Sequence, residues 1–236
     1  GIWLRDRDLT LKMTNKTFII SEAGVNHNGN MDLALRQIFE SKVCGADAVK
    51  FQIYVPEWFL SKEHPLFDYA TQCMKFTKSD HFTLKRYADS LGIEYFCTPF
   101  HPHVVDMLED AGVKRYKVAS RSVSNLPLLK EIAKTKKPVI MSVGGQDDDT
   151  IQKALDGLGE SEVTLLYCVV QYPTPPESLH LEEMVGLSRF GKPYGLSSHC
   201  PSIWAGIAGV ALGASVLESQ TTLSRSHYGS DQSSSL

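Results

Sequence analysis

The chain predicts a (β/α)8 barrel, and three observations carry that expectation. Eight short apolar runs alternate with seven helical stretches along the sequence. The runs are apolar on both faces, as strands covered by helices outside and by a packed barrel inside must be; a half-exposed antiparallel sheet would alternate instead. Gly45, Gly92, Gly112 and Gly159 each stand just past a helical stretch, where a left-handed residue closes the helix.

In order, strand 18–20 leads through a polar turn into helix 31–44, whose apolar Leu33, Ile38 and Val43 share a face. Strand 48–54 is followed by the longest connection, 56–80, which carries Trp58, Phe59, Phe67 and Tyr69, and then by helix 82–91. A connection of that length either covers a site or packs as an aromatic cluster on the barrel wall. Strand 94–100, helix 104–111, strand 115–120, helix 126–135, strand 138–143 and helix 150–158 keep the rhythm. Strand 163–170, helix 181–187, strand 193–199, helix 203–212 and strand 215–223 complete it. Residues 224–236 are polar, serine-rich and too few for a covering helix, so the eighth helix is expected to be missing and the groove between last and first strands exposed. Exposed apolar surface there favours a homo-oligomer. The domain organisation expected is an N-terminal extension, 1–17, a barrel, 18–223, and a polar C-terminal tail, 224–236.

With 236 residues, 42% of them hydrophobic and 22% charged, the chain can bury one large core. A net charge of -3 argues against nucleic acid as a partner. No apolar run approaches the roughly 18 residues that span a bilayer, so no membrane partner is expected. The five cysteines form no CxxC pair and read as reduced thiols of a cytoplasmic protein. No GxGxxG follows any strand, and no nucleotide cofactor is expected.

In a parallel barrel the C-terminal strand ends share one mouth, and chemistry is built there. The polar residues at those ends are Glu22, Asn26, His27, Lys50, Gln52, Thr98, Lys117, Ser120, Ser142, Tyr172, Ser197, His199 and Gln220. Lys50 and Lys117, read at the ends of neighbouring strands, are the sharpest feature. A buried unpaired ammonium is expensive, so the two imply a bound anion, a carboxylate partner such as Glu22 or Glu218, or a Schiff-base role. Ser120, Ser142, Ser197 and Thr98 can add hydroxyl donors around the same anion. Glu22 is either a base or a lysine counter-ion. His27 and His199 are either metal ligands or hydrogen-bonded packing residues.

The ordered motifs EAGVNHNG (22–29), AVKFQ (48–52), CTPF (97–100), YKVAS (116–120), NLPLL (125–129), KPVIMS (137–142), YPTPP (172–176), GLSSH (195–199) and ALGAS (211–215) resemble the N-acetylneuraminate, or sialic acid, synthases. The resemblance runs from about Phe18 to Leu236. It implies a TIM barrel that condenses phosphoenolpyruvate with an N-acetylmannosamine-like aldose, releasing phosphate and giving a nonulosonate-type sugar acid, with manganese or magnesium as cofactor. Carried over, phosphoenolpyruvate would be held by Lys50, Thr98, Lys117, Ser120 and Ser197, with Glu22 as the catalytic carboxylate. Asn26, Gln52, Tyr172 and Asp231 would hold the sugar, and His199 and Gln220 would face the metal.

Several positions depart from the family pattern. Gln220 stands for a second metal histidine and weakens that site, because an amide carbonyl is a poor ligand for manganese or zinc, though it can serve magnesium. Ser198 stands for an aspartate, Ser122 for a sugar-binding carboxylate and Val170 for an asparagine, and Ser230-Asp231-Gln232 replaces a PDH-like segment. The family's C-terminal antifreeze-like domain, which lends an arginine to a partner's site, is expected to be absent, since residues 224–236 do not resemble it. Two functions are expected. One is a working synthase; the other is a catalytically silent barrel that binds a phosphorylated or carboxylated ligand or partners a complete synthase.

Overall fold

The computed structural model describes residues 16–58 and 60–236. The expectations for residues 1–15 and for Phe59 lie outside the described residues. Eight parallel strands, β1 (Phe18–Gly24), β2 (Ala48–Ile53), β3 (Glu94–Pro99), β4 (Tyr116–Val118), β5 (Val139–Ser142), β6 (Val163–Cys168), β7 (Tyr194–Ser198) and β8 (Val216–Gln220), run in the order β3-β2-β1-β8-β7-β6-β5-β4. β3 and β4 stand side by side and close the ring without a hydrogen-bonded ladder between them. This is the (β/α)8 barrel that the alternation predicted.

Helices α1 (Met31–Val43), α2 (Phe67–Cys73), α3 (Lys78–Leu91), α4 (His103–Asp110), α5 (Leu126–Lys134), α6 (Asp148–Leu158), α7 (Glu182–Gly186) and α8 (Ile203–Ala211) connect the strands. Their starts are set by side chains that satisfy the orphan N–H groups of a first turn. Asn30 accepts from Asp32 and Leu33, Asp147 accepts from Thr150, and Thr77 forms a reciprocal capping box with Asp80. The last of these extends α3 four residues upstream of the expected start, because hydrophobic spacing registers the buried face and not the cap. Helix α2, inside the long connection, was not expected. The first strand runs on to Gly24, since Ser21 and Glu22 pair with the neighbouring strands β8 and β2 although they are polar.

The core is one apolar body of strand and helix faces that includes Ile20, Phe51, Leu84, Tyr95, Phe96, Leu128, Ile140 and Leu165. Each such side chain contributes about 1.5–3 kcal/mol on burial. Gly195 on β7 is needed for close approach, because a Cβ there would meet the Val216 carbonyl of β8 at 2.0 Å.

α8 packs against one edge of β8, but among the described residues no α-helix follows β8 to cover the groove between β8 and β1. Instead residues 224–236 fold back to the barrel mouth. Leu236 N–H donates to the Gln220 carbonyl at 2.8 Å, and Gln232 Nε2 donates to the Asn26 carbonyl at 3.1 Å. Gln232, Ser234 and Ser235 are buried there. Outside, Ile203, Trp204 and Ile207 of α8 are exposed beside a groove of about 450 Å³ that runs between α8 and α1. Among the described residues no helix is long and apolar enough to cross a membrane.

Candidate active site

The strand ends converge on a cavity of about 390 Å³ at the C-terminal mouth, with Glu22, Lys50, Lys117 and Glu218 in its lining. All four are nearly sealed from solvent. Lys50 Nζ lies 2.5 Å from Glu22 Oε2 and 3.7 Å from Glu218 Oε2, and Lys117 Nζ lies 3.4 Å from Glu218 Oε1. Hydroxyls complete the ring. Lys50 donates to Thr98 Oγ1 at 3.1 Å, Lys117 donates to Ser142 Oγ at 2.7 Å, and Ser197 Oγ donates to Glu218 Oε1 at 2.9 Å. Gln52 Nε2 donates to Glu22 Oε1 at 2.7 Å.

The two lysines are not on neighbouring strands. β3 lies between β2 and β4 in the ring, and the ammonium groups meet by converging on Glu218. Of the alternatives open in the sequence, carboxylate pairing is what the structure shows, and it involves Glu22 and Glu218 together. Such a quartet is electrically balanced, which is how a low-dielectric floor tolerates four ionic groups.

Charge within it is unevenly held. Burial pushes the Glu22 carboxyl above the usual range, with repulsion from Glu218 adding, although Lys50 opposes both. Burial would also raise Glu218, but Lys117 and Lys50 outweigh it and hold that carboxyl low. Burial would lower Lys50, yet Glu218 and Glu22 keep its ammonium firmly charged. Lys117 goes the other way: burial, reinforced by Lys50, depresses it despite Glu218. Glu22 and Lys117 are thus the two members drawn toward neutral pH.

Above the floor the walls are loops. His199 stacks on Tyr172 with ring centroids 3.9 Å apart, and its Nδ1 lies 2.8 Å from the Val169 carbonyl. Nδ1 is therefore the protonated nitrogen, and Nε2 keeps its lone pair. Burial lowers the His199 pKa, so the ring is neutral. Gln220 Nε2 donates to Asp231 Oδ2 at 3.0 Å, which leaves the buried Gln220 Oε1 without a hydrogen-bond partner. Burial raises the Asp231 carboxyl.

Of the residues singled out in the sequence, Glu22, Lys50, Gln52, Thr98, Lys117, Ser120, Tyr172, Ser197, His199, Gln220 and Asp231 all line this cavity. Asn26 does not. Its Nδ2 donates to the Thr221 carbonyl and to Ser235 Oγ, tying down the segment after β8. His27 also turns away, stacking on Phe76 and accepting from Gly29 N–H at Nδ1. Ser120 Oγ accepts from Gly144 N–H at 2.9 Å. Tyr54, Phe100, Arg121 and Cys168 line the cavity without having been singled out. Each stands at or just past the end of a strand run, the signal that would have found them.

His199 and Gln220, with Asp231 and Glu22 nearby, are the residues that could face a divalent metal. They do not fit one as a complete centre. Among the described residues no three His, Cys, Asp or Glu side chains come together as a ligand set. His199 is the one imidazole in the lining, and the Gln220 carbonyl is a hard, weak donor.

The cavity lies at the C-terminal face of a parallel barrel, where barrels of this class build their active sites. The NeuB family model matches residues 37–236, and the chain belongs to the NeuB family. It is 40% identical over 219 residues to an uncharacterized protein of Methanocaldococcus jannaschii, covering 91% of this chain and 65% of that protein. It is 35% identical to the N,N'-diacetyllegionaminic acid synthase of Legionella pneumophila, covering 93% of this chain and 67% of the synthase. The chain thus spans about two thirds of the length of these relatives. Among solved structures, the sialic acid synthetase of Leptospira borgpetersenii, crystallised with citrate, superposes with a TM-score of 0.90 at 32% identity, covering 94% of this chain and 79% of that one.

Proposed function

We propose that the chain is the barrel of a sugar acid synthase that joins phosphoenolpyruvate to an N-acetylmannosamine-like aldose, releasing phosphate and giving a nonulosonate-type acid. The observation that carries this reading is the pair of buried ammonium groups, Lys50 and Lys117, ringed by the hydroxyls of Thr98, Ser142 and Ser197. The resemblance in the motifs and the synthase relatives support the same chemistry.

In this reading the lysines and hydroxyls hold the phosphate and carboxylate of phosphoenolpyruvate in a site closed enough for charge–charge contacts to count. C3 attacks the aldehyde carbon, forming the new C–C bond. The aldehyde oxygen takes a proton from Glu22, whose raised pKa makes the acid form accessible. Water adds to the cationic C2 and returns a proton to Glu22. The C2–O bond to phosphorus then breaks, phosphate leaves with the remaining hydroxyl proton, and C2 becomes the ketone. Gln52, Tyr172, Asp231 and the Gln220 carbonyl oxygen would meet the hydroxyls of the aldose. No step is assigned to a metal.

The test is to incubate the protein with phosphoenolpyruvate and N-acetylmannosamine and to follow phosphate and the sugar acid by mass spectrometry. Phosphate release that requires both substrates and matches the acid formed is expected. Phosphoenolpyruvate binding with no phosphate release would favour the second reading, a silent anion-binding barrel. One observation speaks for that reading: both lysines already have carboxylate partners inside the protein.

A further inference from the structure

Asp231 lines the cavity from the segment after β8, where no strand ladder fixes it. Its carboxylate nevertheless comes close to the floor. A Cβ at Gly24 would lie 3.3 Å from Glu22 Oε1, 3.4 Å from Gln52 Nε2 and 3.6 Å from Asp231 Oδ2, so the bare glycine lets three polar side chains gather at one point. Gln220 Nε2 donates to Asp231 Oδ2, and Ser230 Oγ donates to Oδ1 at 2.8 Å. Those bonds orient the carboxylate, but they do not tie the segment that carries it to the rest of the molecule.

That tie runs through Tyr69 of α2, a residue outside the cavity lining. Its hydroxyl accepts from Ser230 N–H at 3.2 Å and donates to Asn28 Oδ1 at 3.4 Å. Asn28 Nδ2 in turn donates to the Tyr228 carbonyl at 2.8 Å, and the Tyr228 ring meets Tyr69 edge-on with centroids 5.3 Å apart. Gly229 completes the seat, since at its φ of +153° a Cβ would stand 2.9 Å from the Tyr69 hydroxyl oxygen. Burial pushes the Tyr69 phenol up, so it stays protonated and serves as donor and acceptor together. Three segments far apart in sequence, the turn after β1, α2 and the stretch after β8, thus meet at one hydroxyl.

Deepening the proposed function and resting on it, we infer that Tyr69 is a positioning residue for the aldose, acting through the Ser230 amide to set Asp231 against an acceptor hydroxyl. It touches neither substrate. A carboxylate on a loop gives a directed hydrogen bond only while its backbone is held, and the clasp around Tyr69 holds it. Phosphoenolpyruvate on the lysine floor depends on strands and not on this clasp.

The experiment is a double-mutant cycle read by calorimetry. The titrant is the alditol of N-acetylmannosamine, which has no aldehyde and cannot react, added to protein saturated with phosphoenolpyruvate. Tyr69→Phe keeps the ring and removes the hydroxyl, and is expected to weaken alditol binding at least about fivefold, the size of one hydrogen bond. Asp231→Ala should weaken it by a similar or larger factor. With Asp231→Ala already in place, Tyr69→Phe should change the affinity by less than about twofold, because no carboxylate is left to position; a merely structural role would cost the same in both backgrounds. Equal losses in the two backgrounds, no loss from Tyr69→Phe alone, or no binding of the alditol would each overturn the inference. Titration with phosphoenolpyruvate alone should give affinities within about twofold in every variant, and a loss that follows Tyr69→Phe would overturn the inference by showing that the clasp supports the floor. Failure of the underlying reading looks different, because the unaltered protein would then not bind phosphoenolpyruvate at all.

Discussion

The floor and the mouth of the cavity are built by different means. The floor is made of side chains on β1, β2, β4 and β8, whose positions are fixed by backbone ladders and by four ionic groups that neutralise one another. The mouth is made of loops, Ala119–Arg121, Val169–Tyr172 and Ser230–Asp231, held by single hydrogen bonds and a stacked Tyr172–His199 pair. Under the proposed function the difference assigns each property a place: anion binding would depend on strand register, and acceptor choice on loops that can vary without disturbing the barrel.

The largest effect should come from unbalancing the floor. Lys50→Met leaves Glu22 and Glu218 short of a buried counter-ion, and urea denaturation should show a loss of about 3–5 kcal/mol. Adding Glu22→Gln should restore much of that loss, since the pair rather than either charge is tolerated. A single substitution that costs nothing would show the floor to be wetter and looser than described. Next, Lys117→Ala should weaken phosphoenolpyruvate binding on the order of 2–5 kcal/mol by calorimetry, because a desolvated anion loses its partner. Unchanged affinity would remove that lysine from the site.

How much of this was legible in the sequence divides in the same way. The strands announced themselves through apolar runs on both faces, and the lysines stood out because an ammonium in such a run demands a partner. The motifs then supplied chemistry that spacing alone did not. Glu218 was named as a possible lysine partner beside Glu22, but that both lysines share it was not legible, since which side chains meet across a barrel is set by tilt and register and not by order along the chain. Asn26 shows the opposite error. A polar residue in the first turn reads as a ligand contact, but its amide is taken up by Thr221 and Ser235. Arg121 was missed because one arginine beyond a strand looks like any surface cation until the turn at Ser120–Ser122 directs it into the cavity.

The wall behind the floor adds a pH axis. His81 Nδ1 lies 2.7 Å from the Tyr95 hydroxyl, and burial pushes its pKa down to about 4 against a weaker pull from Asp80. The unfolded chain, with a histidine pKa of about 6.5, binds the extra proton first, so stability falls as pH drops below about 6.5 and levels off below about 4. The loss assigned to this group is about 3 kcal/mol, and His81→Gln should flatten that part of the stability curve. An unaltered curve would mean that the ring titrates freely.

The smallest effect belongs to the mouth. Asn26→Ala should cost about 1–3 kcal/mol, through the loss of two hydrogen bonds. Its signature should be local, with faster hydrogen exchange at Leu236 and at Ser234–Ser235 and unchanged protection in β2 and β8. Exchange that accelerates equally in the strands would erase the distinction between floor and mouth.

The most direct measurement is calorimetric titration of phosphoenolpyruvate into the protein and into Lys117→Ala, with and without magnesium. Saturable binding in the first that is lost or strongly weakened in the second would establish the strand-end floor as the anion site. Absence of binding in the unaltered protein under both conditions would contradict it.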